Sequence, residues 1–313
     1  MNKIVRIWNQ NRKLIITAII AIAFLIIVIQ VLNQLAKMNK EQQNNQRQEV
    51  VEGLPTESII GGQTVSTEIT KENVEEIETF IKKCNSGDIE GAYNMLTDDC
   101  KSVLFANKVE NFKVGYYDII FSNKRTGDIE NFISENKRYT YRVKFYTDML
   151  STGSIENMES YQDYITIDKN MDDGKLNLNS LIYKRDINKE SELNGVKIIV
   201  VSKQVYKDYE KYEIKFENTT NNRILIDTRT QTKSVYVLGS NNITYGSNIS
   251  EISSSLCEIP ANFYRTYTIR FNKQYSSEIK TEGIAFTDIV PDYETYKQNT
   301  KDYKQRLKIS VSM

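Results

Sequence analysis

Hydrophobic and polar positions follow three different patterns along this chain. The first is an unbroken apolar run, "LIITAIIAIAFLIIVIQVL", from Leu14 to Leu32, in which only Thr17 and Gln30 are polar. As a helix rising about 1.5 Å per residue it spans about 28 Å, near the hydrocarbon thickness of a bilayer. A buried soluble helix of that length ordinarily keeps a polar face. A cleaved signal peptide has a shorter apolar run and an A-x-A-like site, whereas this run continues into "NQLAKMNKEQQ". No cysteine follows closely enough for a lipoprotein anchor. Lys3, Arg6, Arg12 and Lys13 precede the run, and Lys37, Lys40 and Arg47 follow it. The sequence therefore predicts a cytoplasmic tail at 1–13, a transmembrane helix at 14–32 and the remaining chain outside the cytoplasm.

The second pattern is helical. A polar, Gln/Asn-rich stretch with Gly53, Pro55 and Gly61-Gly62 reads as a linker over 33–69, its later part a tether. Val74, Ile77, Ile81 and Cys84 then recur at helical spacing. Gly87 suits a helix C′ position, and Asp88 and Thr97 suit the N-caps of two further helices. Ile89, Ala92, Tyr93 and Leu96 form the apolar face of the first of these. Helical or mixed sequence continues through "NKVENFKVGYYDIIF".

The third pattern is alternation. In "RYTYRVKFYTD", Tyr139, Tyr141, Val143 and Phe145 alternate with Thr140, Arg142, Lys144 and Tyr146, which predicts a strand. "YQDYITIDKN" and "KLNLNSLIYKRD" are further strands, joined by a turn at Asp173-Gly174. A boundary is expected at "NKESELNG", residues 188–195. Beyond it, "GVKIIVVSKQVY", "YEIKFENTT", "KSVYVLGS", "NITYG", "FYRTYTIRFNKQY" and "EGIAFTDIV" are short strands broken by polar turns, the pattern of a β-sandwich over 195–313. The tail "YETYKQNTKDYKQRLKISVSM" reads either as a terminal helix and strand or as a partly ordered peptide.

Composition narrows the chemistry. The chain of 313 residues has 41 basic and 41 acidic side chains and no histidine. Balanced charge gives no electrostatic bias toward nucleic acid. The absence of histidine excludes Ser-His-Asp and Cys-His catalysis and His-ligated zinc. "DKNMDDGK" at 168–175 lacks the closing Glu of a calcium loop and reads as a solvated acidic turn. "NKRTGDIENFISENKR" at 123–138 mixes basic and acidic residues and reads as an ordinary solvated face. A Cys84–Cys100 bridge suits an extracytoplasmic location. An eight-residue helix between them, however, moves the chain about 12 Å where bridging needs about 7 Å, which favours two buried thiols.

The segment "IKKCNSGDIEGAYNMLTDDCKSVLF" and the order of helices before strands resemble the membrane-tethered bacterial members of the NTF2-like superfamily over roughly residues 70–187. "YEIKFENTTNNRILI" and "IPANFYRTYTIRFNK" resemble immunoglobulin-like domains of bacterial surface proteins. Together they imply an α+β fold: a transmembrane helix, an NTF2-like cone at 70–187 and an all-β immunoglobulin-like sandwich. The cone implies a pocket for ligand or partner with Tyr93, Phe112, Tyr116, Tyr117, Tyr141 and Tyr164 as lining candidates, and Asp118 as a carboxylate among them. No catalytic residue, metal or cofactor is assigned. The expected function is a single-pass, non-enzymatic binding or assembly module of the bacterial cell envelope, with envelope proteins or a second copy as partners. The alternatives are an inner-membrane assembly component of a conjugative (type IV) secretion system, a small-ligand-binding cone, or a His-free isomerase or hydrolase.

Overall fold

Strands dominate because β-branched and aromatic residues recur among polar ones in most segments from residue 138 onward. The computed structural model describes residues 54–147, 160–170 and 174–313. The tail at 1–13, the apolar run at 14–32, the polar stretch as far as residue 53 and the turn at 171–173 lie outside the described residues. No helix among the described residues is long and apolar enough to cross a membrane.

The helices come first and are mostly short. α1 (Thr67–Ser86) starts at Ser66, whose hydroxyl accepts the Ile69 N–H. It ends at Gly87 in the left-handed region, whose N–H reaches back to Lys83 and Cys84. α2 (Ile89–Asn94) is capped by Asp88 and α3 (Asp98–Phe105) by Thr97. α4 (Val109–Phe112) runs through a π-turn at Lys113–Tyr117 into α5 (Asp118–Ile120). A single later turn, α6, covers Tyr293–Gln298.

The named strands all pair antiparallel. In the first sheet β1 (Arg125–Glu135), β2 (Arg138–Thr147), β3 (Ser160–Asp168) and β4 (Leu176–Asn177) lie in sequence order. In the second, β5 (Leu181–Leu193), β6 (Val196–Tyr206) and β7 (Glu210–Asn218) pair in order, and β12 (Phe263–Phe271) closes it on β7. The third has the order β10-β9-β13-β14, made of β9 (Val235–Gly239), β10 (Thr244–Gly246), β13 (Thr281–Ile289) and β14 (Leu307–Ser312). β8 (Ile224–Leu225) and β11 (Glu258–Ile259) form a small ribbon. The tail is thus a short helix followed by a paired strand.

This corrects the α+β expectation: the described chain is mostly β, with a few short helices and no helix able to span a membrane. The physical reason is element length. Among the described helices only α1 exceeds eight residues, whereas four strands of the two larger hairpins run to ten or more.

Two apolar clusters organise the packing. In one, the helices cover the first sheet: Ile77, Phe80, Cys84, Leu96 and Phe112 meet Tyr141, Val143, Phe145 and Ile165. The other lies between the second and third sheets, where Ile198, Val200, Ile214 and Phe216 face Val237, Ile284, Phe286 and Ile309. Phe216 centres it, edge-on to Tyr267 at 5.6 Å and to Phe286 at 4.9 Å.

The stretch 188–195, expected as a domain boundary, is the second half of β5 and a hairpin turn. Asn194 and Gly195 both have positive φ, as a two-residue hairpin turn demands, so β5 folds straight back onto β6. Leu181 and Tyr206, paired at one end of this hairpin, belong to the helix-covered cluster; Val196, Ile198 and Val200 at the other belong to the inter-sheet cluster. One hairpin therefore runs through both cores.

Two more expectations change. Part of the supposed tether is docked: the Ile59, Ile60 and Gln63 N–H groups donate to the carbonyls of Asn131, Phe132 and Ser134 on β1. Gly62 is required there, since a Cβ would meet the Ser134 carbonyl oxygen at 2.8 Å. The segment 123–138 is not a solvated face but β1 and its turn. Arg125 is 1% exposed, with its guanidinium bonded to the Ile120 carbonyl and the Thr147 hydroxyl. Both of these partners are neutral, and the guanidinium also lies 4.9 Å from the Tyr161 ring.

Because both cores share β5 and β6, chemical denaturation of the full chain should give one transition for residues 55–313, with tyrosine fluorescence and far-UV circular dichroism coincident. Two separated transitions would show that the lobes fold independently.

Candidate functional site

The six aromatic candidates do not line a common pocket. Tyr93, Phe112 and Tyr116 are buried together beneath the helices. The Phe112 ring lies 5.8 Å from both Tyr93 and Tyr116, and Phe80 and Phe105 complete the cluster. Tyr141 is fully buried on β2 and its hydroxyl accepts from Asn73 Nδ2 at 3.0 Å. Tyr117 is partly buried and stacks on Phe121, while the Asp118 carboxylate pairs with Lys113. Tyr164 sits on the opposite face of β3 from its buried neighbours, edge-on to Phe132 with Lys207 above its ring at 4.7 Å. These rings fill space rather than enclose it.

The π-turn has a definite task. It aims the Tyr116 hydroxyl at Asp163 Oδ2, 2.9 Å away and deeply buried on β3. The same carboxylate accepts the N–H groups of Tyr164, Asn179 and Ser180 at 2.7, 3.0 and 3.2 Å. Burial pushes the Asp163 carboxyl up to about 6, against the pull of these four donors. Asn179 and Ser180 both have positive φ and form the turn that launches β5, so Asp163 holds that strand's starting point.

From there the chain builds a cavity. Tyr183, Lys184 and Arg185 of β5 lie between two register shifts, at Leu181/Tyr183 and Asp186/Lys189. Bulges of this kind re-aim side chains. Opposite them are Lys203 of β6, Glu210 at the start of β7, and the loop after β12 that carries Lys273, Tyr275 and Lys280. The end of the β1–β2 hairpin contributes Glu135 and Arg138. These groups enclose ≈ 460 Å³, within the range of small-molecule sites. The loop is tied down twice: the Tyr275 hydroxyl donates to Glu135 at 2.9 Å, and its N–H donates to the Lys207 carbonyl.

Glu210 is the hub of this wall. Its Oε1 accepts from Lys203 at 3.1 Å and Lys273 at 3.0 Å, and its Oε2 from Tyr212 at 2.5 Å and Thr281 at 2.9 Å. Burial raises the cost of its charge, but the two ammonium groups and the hydrogen bonds outweigh it and hold the carboxyl below its ordinary value. Burial also pushes the Lys203 ammonium down, against the attraction of Glu210. Arg138 is paired with Asp168 at 2.8 Å and lies 4.4 Å above the Tyr183 ring. Asp168 also accepts from Asn170, which commits the acid that headed the expected acidic turn.

The sequence alone did not single out these residues. Their signal is two lysines, Lys203 and Lys273, at positions that alternation assigns to half-buried strands, but they are seventy residues apart in the chain. The cysteines carry no chemistry: all three are buried and free. Burial pushes the Cys84 and Cys100 thiols up to about 12. Among the described residues no group of three or more acidic or cysteine side chains gathers as a metal site.

Three outcomes are expected. Glu210→Gln leaves Lys203 and Lys273 buried without a counter-charge and should cost about 3–5 kcal/mol in urea unfolding. Because the Glu210 value is depressed on folding, its contribution is present above the ordinary carboxylate range and lost as pH falls through the folded value; Glu210→Gln should flatten that acid limb. Asp163 has the opposite sign. Its raised carboxyl takes up a proton on folding between its ordinary value of 3.8 and about 6, so lowering pH through about 6 relieves a buried charge. Asp163→Asn should remove that gain and cost about 1–3 kcal/mol at neutral pH, since its amide cannot accept from all four donors. Finally, a thiol-specific reagent at neutral pH should label none of the three cysteines in the folded protein and all three in denaturant.

No protein-family model matches the sequence, and no curated protein matches it either. One solved structure overlaps it, described as that of a functionally unknown protein from Listeria monocytogenes EGD-e. The overlap covers 42% of this chain and 85% of that one, at 10% identity and a TM-score of 0.30, too low to carry any inference about fold or function.

Proposed function

We propose that this chain is a non-enzymatic binding module of the bacterial cell envelope, attached through its apolar run at 14–32 and working outside the cytoplasm. The observation that carries the binding role is the ≈ 460 Å³ cavity where the two cores meet. Its walls are strands and a loop held at both ends, so the site is formed before any ligand arrives. Its two acidic groups are engaged: Glu210 with two lysines and two hydroxyls, and Glu135 with Tyr275. A general base needs a free lone pair directed at a substrate proton, and a nucleophile needs such a base beside it. These pairings favour recognition over turnover. The apolar run and the modest basic excess before it support the location.

Two measurements test this. In cell fractionation, the full chain should stay with membranes through a high-salt wash, and a chain lacking residues 1–35 should not; protease added outside spheroplasts should degrade the bulk of the protein. For binding, Tyr183 and Tyr275 labelled with fluorotyrosine in the micelle-solubilised full chain report on the cavity. A small-molecule fraction of the cell extract should shift both signals saturably and be recovered chemically unchanged. Conversion of the recovered molecule would make the protein an enzyme, and an extract with no active fraction would remove the binding role.

A further inference from the structure

The cavity wall is unequal in charge, and the imbalance is deepest where the protein is driest. Six basic side chains line it against two acidic ones. The buried part is a triad of Lys203, Lys273 and Glu210, in which two ammonium groups share one carboxylate oxygen. Glu210 has no capacity left for a second full charge, since its other oxygen takes the Tyr212 and Thr281 hydroxyls. The triad therefore holds one surplus positive charge, with Lys273 only 3% exposed. Buried charges are ordinarily matched by a counter-charge, and each ammonium has three donors of which Glu210 takes one. At the rim Arg185 and Lys280 are exposed and form no ion pair among the described residues. Glu135, the second acid, is engaged by the Tyr275 hydroxyl.

Resting on the binding role above, the geometry points to a small soluble oxyanion as the ligand of this cavity, with its phosphoryl or carboxylate group seated between Lys203 and Lys273 and its outer charge met by Arg185 and Lys280. An ammonium is a point charge with rotatable donors, suited to a tetrahedral or planar oxyanion alike. The low-dielectric floor strengthens the attraction relative to water, and the rim cations raise the local concentration of anions. The downward push on Lys203 by burial agrees with a site that gains from a counter-anion.

The test uses the full chain in neutral detergent micelles, with pyrophosphate and citrate as probes at constant ionic strength. At least one probe should shift the Tyr183 and Tyr275 fluorine signals saturably and raise the thermal midpoint, while matched sodium chloride does neither. Lys203 and Lys273 variants risk misfolding, so the informative variant is the exposed pair Arg185→Glu with Lys280→Glu. It should retain the native midpoint without probe and bind the same probe at least tenfold more weakly. Unchanged affinity in that variant, or no saturable response to either probe, overturns the assignment. If a neutral molecule from the extract still shifts both tyrosines, the binding role stands and only the oxyanion is wrong. If nothing shifts them, both fall.

Discussion

The pairing of β5 with β6 is the interaction on which the rest depends. These are among the longest strands in the chain, and they supply residues to both apolar clusters. Their register is pinned at one end by the Asn194-Gly195 turn and at the other by Asp163, which grips the turn before β5 through two backbone N–H groups. A slip of one residue would reverse the faces of β5 and displace Tyr183, Lys184 and Arg185 from the positions they hold on the cavity wall. The cavity is thus a product of register rather than of any single contact. Its position follows from the same cause, since this hairpin contributes to both cores and to the cavity wall.

Two buried carboxylates serve the hairpin in contrasting ways. Asp163 is surrounded by dipoles, three N–H groups and a phenol, which solvate a negative charge without cancelling it. Glu210 is surrounded by charge, and the surroundings overshoot it. Dipolar solvation leaves the first a fixed structural joint with its carboxyl raised. Ionic solvation leaves the second locked in the charged state with a residual field directed at the cavity. Similar burial therefore yields a joint in one case and a charged cavity wall in the other.

Much of the local structure was legible in the sequence. Gly87, Asp88 and Thr97 announce their caps because capping is a one-residue property, and β2, β3, β7 and β12 announce themselves by clean alternation. The balance of the fold was not legible, because after α1 the helical pattern up to residue 120 breaks into short pieces that weigh little against the fourteen strands among the described residues. β1 was hidden by Gly127, Asp128 and Asn131, residues of poor strand propensity held in place by α1 through Asn85 and by the docked segment at 59–63. The Asn194-Gly195 turn was read as part of a domain boundary, because polar residues surround it on both sides. The cavity was hidden for a more basic reason. Its cations come from Arg138 to Lys280, and each in isolation looks like an ordinary surface charge.

The docked segment has a mechanical consequence. Chain connectivity means that any tension arriving from the N-terminal side meets the three hydrogen bonds between residues 59–63 and β1 before it reaches α1. The segment runs in the same direction as β1, so these bonds form a short parallel seam along the outer edge of the first sheet. Such a seam is a backbone pairing that a pull from that side would load. Its bonds join β1 alone, whereas the hairpin that shapes the cavity lies further along the chain in the next sheet.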